Sequence, residues 1–324
     1  MNSNRGKTHE KVLFATTALV ATAGVAAADV TFGGYGRFGI LYNDTAAGDS
    51  TDVTSRFRLQ IDATAESDAG VVFGARARIQ QNNSDEQQSI NEGPDNVLGT
   101  ADDFAENAGP AGTGINGVRF FARTGGFEVG VGNIFGALES MPGQYPIDLG
   151  LTGLGYDYTA FGGNGDAYSS GGNGAAGSNG VEVMYSAGDL SVHVSASDTN
   201  DRVAGYVAYT WSGWTFAVGG QDSDDAGDTE FTATAGGSFG IADVTLAFAD
   251  NGTNGDRVVL AGRFDVGAAT DVEVYVADQD GAGNDTGYGV DFNHDLGGGV
   301  SLRGGVAHRF NGDDRADMGV RFNF

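Results

Sequence analysis

Arginine and carboxylate carry most of the chemistry open to this sequence, and neither stands in a catalytic spacing. Arg37, Arg56, Arg58, Arg76, Arg78, Arg119, Arg123, Arg303, Arg309 and Arg321 share one parity within segments whose alternate positions are apolar. A guanidinium keeps its charge at any physiological pH, so such a set is a fixed positive wall, not a proton source. Carboxylates answer it: Glu139, Asp148, Asp157 and Asp166 fall within one stretch, residues 135–180. Opposed arcs of fixed charge sort solutes by charge and orient dipolar ones. Enzymatic spacings are missing. After residue 28 the imidazoles are His193, His294 and His308, none beside a Ser- or Asp-rich motif that would suggest a nucleophile or an acid–base pair. No P-loop, zinc motif or dinucleotide fingerprint occurs. The residues point away from an enzyme.

A metal is the other chemistry to weigh. Asp95, Asn96, Asp102 and Asp103 crowd a turn-rich segment, and hard oxygen donors at that density suit Ca²⁺. EF-hand spacing is absent, so a solvated acidic loop competes with a calcium site. Asp222, Asp224, Asp225 and Asp228 form a second, sparser cluster. No cofactor is otherwise required.

The elements that must position these charges read as strands. From Val30 to Phe324, apolar and polar residues alternate for about ten residues, turn, and alternate again; Leu190-Ser191-Val192-His193-Val194-Ser195-Ala196-Ser197 is one such run. Period two gives a strand with one apolar and one wet face. Sixteen segments can be traced, from Val30–Tyr42 to Arg315–Phe324, with tight turns at Gly125-Gly126, Gly188-Asp189 and Ser212-Gly213. Connections after even-numbered segments are short, and those after odd-numbered ones tend to be longer and acidic. Strands this long and even predict a transmembrane β-barrel, apolar to lipid and polar to an aqueous lumen. A β-sandwich would pack its aromatics in a core, but rarely needs sixteen strands in one domain. Trp211, Trp214, Phe239, Tyr156, Tyr158 and Tyr168 are read as residues near the membrane interfaces.

Composition agrees. Arg5, Lys7 and Lys11 precede an apolar stretch, Val12 to Ala27, that ends in Ala26-Ala27-Ala28, so residues 1–28 read as a cleaved signal peptide and residues 29–324 as one barrel domain. The totals of 17 basic and 43 acidic residues lose three and one with that segment, leaving 14 arginines, 42 acids and a charge near −28. Ten of those 14 arginines belong to the wall named above, on the first four and last two segments, which adjoin when the barrel closes. Such acidity repels phosphate backbones and excludes nucleic acid as a partner. The chain has no cysteine, so an exported protein must find stability elsewhere, and closing the sheet leaves no strand edge unpaired.

The longest connection, residues 135–180, has apolar runs at Phe135-Gly136-Ala137-Leu138 and Tyr145-Pro146-Ile147-Asp148-Leu149, enough to pack as an inward constriction or an outside lid. At this point residues 29–324 resemble the general diffusion porins of alphaproteobacteria, the Rhodobacter type. The likeness rests on Asp29-Val30-Thr31-Phe32-Gly33-Gly34 with Arg37, Ser55-Arg56-Phe57-Arg58, Gly130-Val131-Gly132-Asn133-Ile134-Phe135-Gly136-Ala137, Tyr185-Ser186-Ala187-Gly188, Tyr288-Gly289-Val290 with Asp295-Leu296-Gly297-Gly298-Gly299, and Met318-Gly319-Val320-Arg321-Phe322-Asn323-Phe324. The resemblance implies an all-β, 16-stranded antiparallel barrel with short periplasmic turns, a third long loop folded into the pore, and a homotrimer in outer-membrane lipid. The terminal alternation of Met318, Val320, Phe322 and Phe324 is similar to the signal read by barrel-assembly machinery. This sequence departs from the family in its insertion of residues 83–114 and in having no lysine after residue 28. The expected function is passage of ions and small hydrophilic solutes, with weak cation preference from the charge sum. A substrate-specific pore, or a closed structural or adhesive barrel, is the alternative.

Overall fold

Alternation becomes a closed sheet. The structure, a computed structural model, describes residues 28–83, 86–91, 104–110, 115–162, 165–170, 177–224, 229–281 and 286–324. The expected signal segment, residues 1–28, lies outside them apart from its last residue. The chain opens with β1 (Asp29–Thr45), β2 (Gly48–Glu66) and β3 (Val72–Asn82), followed by a separate pair, β4 (Glu86–Asn91) and β5 (Phe104–Pro110). Next come β6 (Arg119–Thr124), β7 (Phe127–Asn133), β8 (Asn179–Ala187), β9 (Leu190–Ser197), β10 (Val203–Trp211) and β11 (Trp214–Asp222). The remainder are β12 (Glu230–Phe239), β13 (Ala242–Asp250), β14 (Asp256–Asp265), β15 (Thr270–Gln279), β16 (Gly287–Gly297), β17 (Val300–His308) and β18 (Asp314–Asn323).

Sixteen of these strands close into an antiparallel barrel, in which β3 pairs β6 and β1 pairs both β2 and β18. Closure is completed at the C-terminus, where Gly34 N–H donates to the Phe324 carbonyl (2.9 Å) and Phe324 N–H donates back (3.1 Å). The insertion at residues 83–114 supplies β4 and β5, which pair with each other outside the barrel sheet. Turn chemistry follows the sequence reading: Gly125 and Gly126 have φ of 56° and 86°, as a two-residue hairpin turn with two left-handed positions requires. One expectation fails. The connection after the first strand is not long, because β1 and β2 stay paired out to Thr45 and Gly48 and only residues 46–47 join them.

Large apolar side chains cover the outside. Phe38, Ile40, Phe57, Phe73, Phe120, Val218, Phe231, Leu246, Val258 and Val306 are all exposed, on one parity of each strand. In water such a belt would drive aggregation; in hydrocarbon it lies in its own solvent. Trp211 (68 %) and Phe239 (78 %) are exposed beside short turns. Tyr158 and Tyr168, read from sequence as interfacial, are instead buried inside the barrel.

The inside departs from a uniformly polar lumen. Ala204, Ala208, Ala217, Ala247, Ala249, Ala261, Ala277 and Ala307 are buried on the inner face of β10 to β17 and belong to one hydrophobic cluster. Most of their partners in that cluster come from the long connection between β7 and β8, joined by Val259 and Tyr275 of the barrel strands and by Phe310 just after β17. The molecule therefore has its apolar core inside the barrel but against one wall. Small wall residues leave room for a folded segment; larger ones would fill the space themselves.

Candidate functional site

The inward segment, described over residues 134–162 and 165–170, presses Leu138, Met141, Ile147, Leu149, Leu154, Tyr158 and Phe161 onto the alanine wall, each less than 10 % exposed. Leu151 reaches further, to a socket formed by the cross-strand pair Gly39 and Gly319; a Cβ there would stand 2.7 or 2.6 Å from its Cδ2. A side chain at either glycine would also meet the neighbouring strand's carbonyl, Met318 O or Phe38 O, at 2.2 Å.

Wall carboxylates then hold the loop backbone. Glu273 accepts from the N–H of Asp148 (3.0 Å), and Asp291 from that of Gly150 (2.5 Å). Asp317 takes the N–H groups of Leu151 (2.9 Å) and Thr152 (2.7 Å) together with the Thr152 hydroxyl (2.7 Å). These bonds satisfy backbone donors that the loop would otherwise bury unpaired. At the loop's entry Glu182 receives Arg119 (2.5 Å), the Phe135 N–H (3.2 Å) and His193 Nε2 (3.0 Å). Ser140 Oγ lies 2.8 Å from His193 Nδ1 and also 2.8 Å from the Gly136 carbonyl, to which it can donate. The Ser140–His193–Glu182 chain thus ties loop to wall. These anchors escaped the sequence reading; the available signal was inward parity of the acids on β15, β16 and β18.

With one face fixed to the wall, the loop turns the other to the lumen. Asp148, its side chain 56 % exposed, accepts from Arg303 (2.7 Å) and Arg321 (3.1 Å) through one oxygen. Glu139 is bonded by the Tyr145 hydroxyl at 2.5 Å. Burial pushes the Glu139 carboxyl up from its ordinary value, with the tyrosine bond pulling the other way.

Opposite stand the arginines of β1, β2, β3 and β18. Arg37 is the direct cross-strand partner of both Arg56 and Arg321. Arg58 and Arg78 lie on the next rows, each facing a glutamine across the strand pair (Gln80 and Gln60). Arg58 and Arg321 both stack on Tyr35, 5.2 and 4.4 Å from its ring centre, and Arg78 stacks on Tyr168 at 4.6 Å. Like charges directly opposite on a sheet are destabilising unless something spreads or screens them. Tyr35, Gln60, Gln80 and Asn82 do that here through stacking and neutral hydrogen bonds.

A model of the Gram-negative porin family matches residues 15–314. The chain belongs to that family. A porin of Fuscovulum blasticum is 32 % identical over 91 % of this chain and all of its own length. A porin of Rhodobacter capsulatus is 27 % identical over the same shares. Among solved structures, a mutant of Rh. blastica porin superposes with a TM-score of 0.76 at 28 % identity, covering 91 % of this chain and 100 % of that one. A triple mutant of Rhodopseudomonas blastica porin superposes at 0.75 with 27 % identity over the same shares. This porin is therefore a closed 16-stranded outer-membrane channel.

Within the porin, the residues singled out from sequence divide. Arg37, Arg56, Arg58, Arg78, Arg303 and Arg321 stand on the wall opposite Asp148 and Glu139. Arg76 lies on the same face but is committed to Asp62 (2.6 Å). Arg119 needs correction: it is 3 % exposed, held by Glu182 and Glu128 (2.7 Å) and covered by Phe135, so it lines nothing. Asp157 is likewise buried (5 %), receiving Arg309 (3.1 Å) and the Phe310 N–H (3.0 Å). That pair ties the far end of the loop to the connection after β17 and is structural. Arg123 is exposed but sits beside the Gly125-Gly126 turn, away from the loop. Asp166, on the loop, pairs with buried Arg202 at 2.6 Å. The calcium candidates Asp95, Asn96, Asp102 and Asp103 lie outside the described residues, as do Asp225 and Asp228. Among the described residues no group of three or more His, Cys, Asp or Glu side chains is placed to hold a metal ion.

Proposed function

We propose that this porin passes ions and small hydrophilic solutes through a constriction bounded by Glu139 and Asp148 on the inward loop and by the arginine wall of Arg37, Arg56, Arg58 and Arg78, with Arg303 and Arg321 joining that wall to Asp148 at one end. The supporting observation is how the loop is set: most of its apolar side chains lie on the alanine wall, and Asp148 is turned to Arg303 and Arg321. Fixed opposed charge, set in a narrow low-dielectric passage, acts on passing solutes far more strongly than the same charges in open water. The net acidity of the whole chain favours cations at the mouths, while the arginine wall acts against them at the narrowest level.

The finer expectations join this reading. Residues 1–28 are a signal peptide removed on export, giving a mature N-terminus at Asp29, which sequencing of the purified protein would show. The protein assembles as a homotrimer, supported by the family resemblance and by the apolar outer face of β1 to β3. Calcium in the acidic 93–103 segment rests on donor chemistry alone and is tested by equilibrium dialysis. The channel is tested by planar-bilayer recording with a salt gradient. Stepwise conductance with a small cation-directed reversal potential is expected, and folded, inserted, silent protein contradicts it.

A further inference from the structure

The arginines of the wall are not all treated alike. Arg76, Arg119, Arg303, Arg309 and Arg321 each end on a carboxylate. Among the described residues, Arg56, Arg58 and Arg78 do not. Arg56 donates to Asn82 (2.5 Å) and Tyr35 (3.3 Å), Arg58 donates through Nε to Gln80 (2.6 Å), and Arg78 to Gln60 (2.9 Å) and Ser170 (2.8 Å). In a chain with 43 acids against 17 bases, three neighbouring cations with only neutral partners are conspicuous. The hydrogen bonds use mainly the Nε edge, which fixes each guanidinium while leaving terminal N–H groups for something else; both terminal nitrogens of Arg58 are in that position.

These three arginines line a single cavity of about 450 Å³ where the wall meets the loop. Gln80, Tyr168 and Ser170 complete its floor, and Glu139 and Ser140 line the loop side. Guanidiniums held by neutral partners suit carboxylate docking, because a bidentate fork meets a planar anion without first breaking an ion pair. Glu139 makes the second half of the selection. One of its oxygens is engaged by Tyr145. Its charge repels a second carboxylate, and its remaining oxygen can accept from an ammonium or hydroxyl group.

We infer that this seam cavity is a binding site for small monocarboxylates bearing a hydroxyl or amino group, which dock on Arg58 and Arg78 on their way through the pore. The inference rests on the channel reading above and adds a stopping place to it. The net charge alone would have excluded anions.

The test is single-channel recording of the full protein in potassium chloride, titrated with sodium lactate and, separately, with sodium malonate. The site predicts saturable reduction of the current by lactate and weaker action by malonate. The double variant R58Q/R78Q should raise the half-blocking lactate concentration about tenfold or more, as the loss of charge-assisted hydrogen bonds implies. E139Q should bring malonate toward lactate. R263Q, whose arginine is paired with Asp271 on β14 and β15, should change neither titration. Should the glutamine pair fail to insert, R58K/R78K keeps the charge but loses the fork and should still weaken lactate. Normal conductance with no saturation by lactate, or half-block unchanged in R58Q/R78Q, overturns the site and leaves the channel standing. Folded protein with no conductance in potassium chloride overturns both.

Discussion

Arg37 on β1 lies directly opposite Arg56 on β2, one guanidinium-bearing residue across from another with no acid between them in the register. A sheet optimised for stability alone would place an acid at one of these positions, as Asp62 opposite Arg76 shows a few residues away. The cost of like charges on facing strands is of the order of 0.2–1 kcal/mol. Arg37 also donates to the Leu151 carbonyl at 2.5 Å, whereas Arg56 makes no contact with the loop backbone among the described residues.

Removing one member should therefore not weaken the barrel. Arg56→Gln is expected to leave unfolding in denaturant within about 0.5 kcal/mol of the parent or slightly more stable. At the same time the reversal potential should move toward cations. A large loss of stability would show that Arg56 holds the structure together.

The loop anchors should behave in the opposite way. Asp317→Ala strips the partner from the N–H groups of Leu151 and Thr152, and unsatisfied buried donors cost roughly 1–3 kcal/mol each. Current through this variant should fluctuate between levels as the loop loosens, whereas Asp317→Asn, which keeps an acceptor, should be quieter. Equal, steady traces from both would show that the carboxylate does not fix the loop.

The alanine wall makes a packing prediction. Ala261→Leu overfills the space under the loop and is expected to cost about 1–3 kcal/mol and alter conductance. The same enlargement on the outward face one residue away, Leu260→Phe, adds apolar surface toward lipid and should change neither. Proteolytic sensitivity of the loop, compared in the two variants, separates them.

Protonation offers a further handle. Because burial raises the Glu139 carboxyl, it takes up its proton at a higher pH than an ordinary glutamate. As pH falls, the loop loses this charge first, so cation preference should begin to decline before exposed carboxylates titrate. Glu139→Gln should show lower cation preference at neutral pH and lack that early decline. An identical pH profile in parent and variant would remove Glu139 from the constriction.

Much of this architecture was readable from period two. Alternation located the strands, Gly125-Gly126 and Ser212-Gly213 located the turns, and apolar runs in residues 135–149 marked a segment able to pack as a lid or as an inward constriction, of which the structure shows the second. Parity put the arginines inside. It could not separate Arg58 from Arg119, since both face inward; only the path of Phe135 and the approach of Glu182 bury the second. Nor could it tell Asp148, which meets the lumen, from Asp157, which meets Arg309. An inward polar residue satisfies the pattern equally whether it touches water or a loop. Nothing in the alternation singled out the alanines of β10 to β17, whose role is the volume they leave for the loop.

The claim that the passage runs between the loop and the arginine wall can be tested at one atom. The chain has no cysteine, so Asp148→Cys introduces a unique thiol at the exposed face of the loop. Single-channel conductance recorded before and after reaction with a bulky thiol reagent should fall sharply and recover on reduction. Conductance unchanged by complete modification would place the solute path elsewhere and contradict the account.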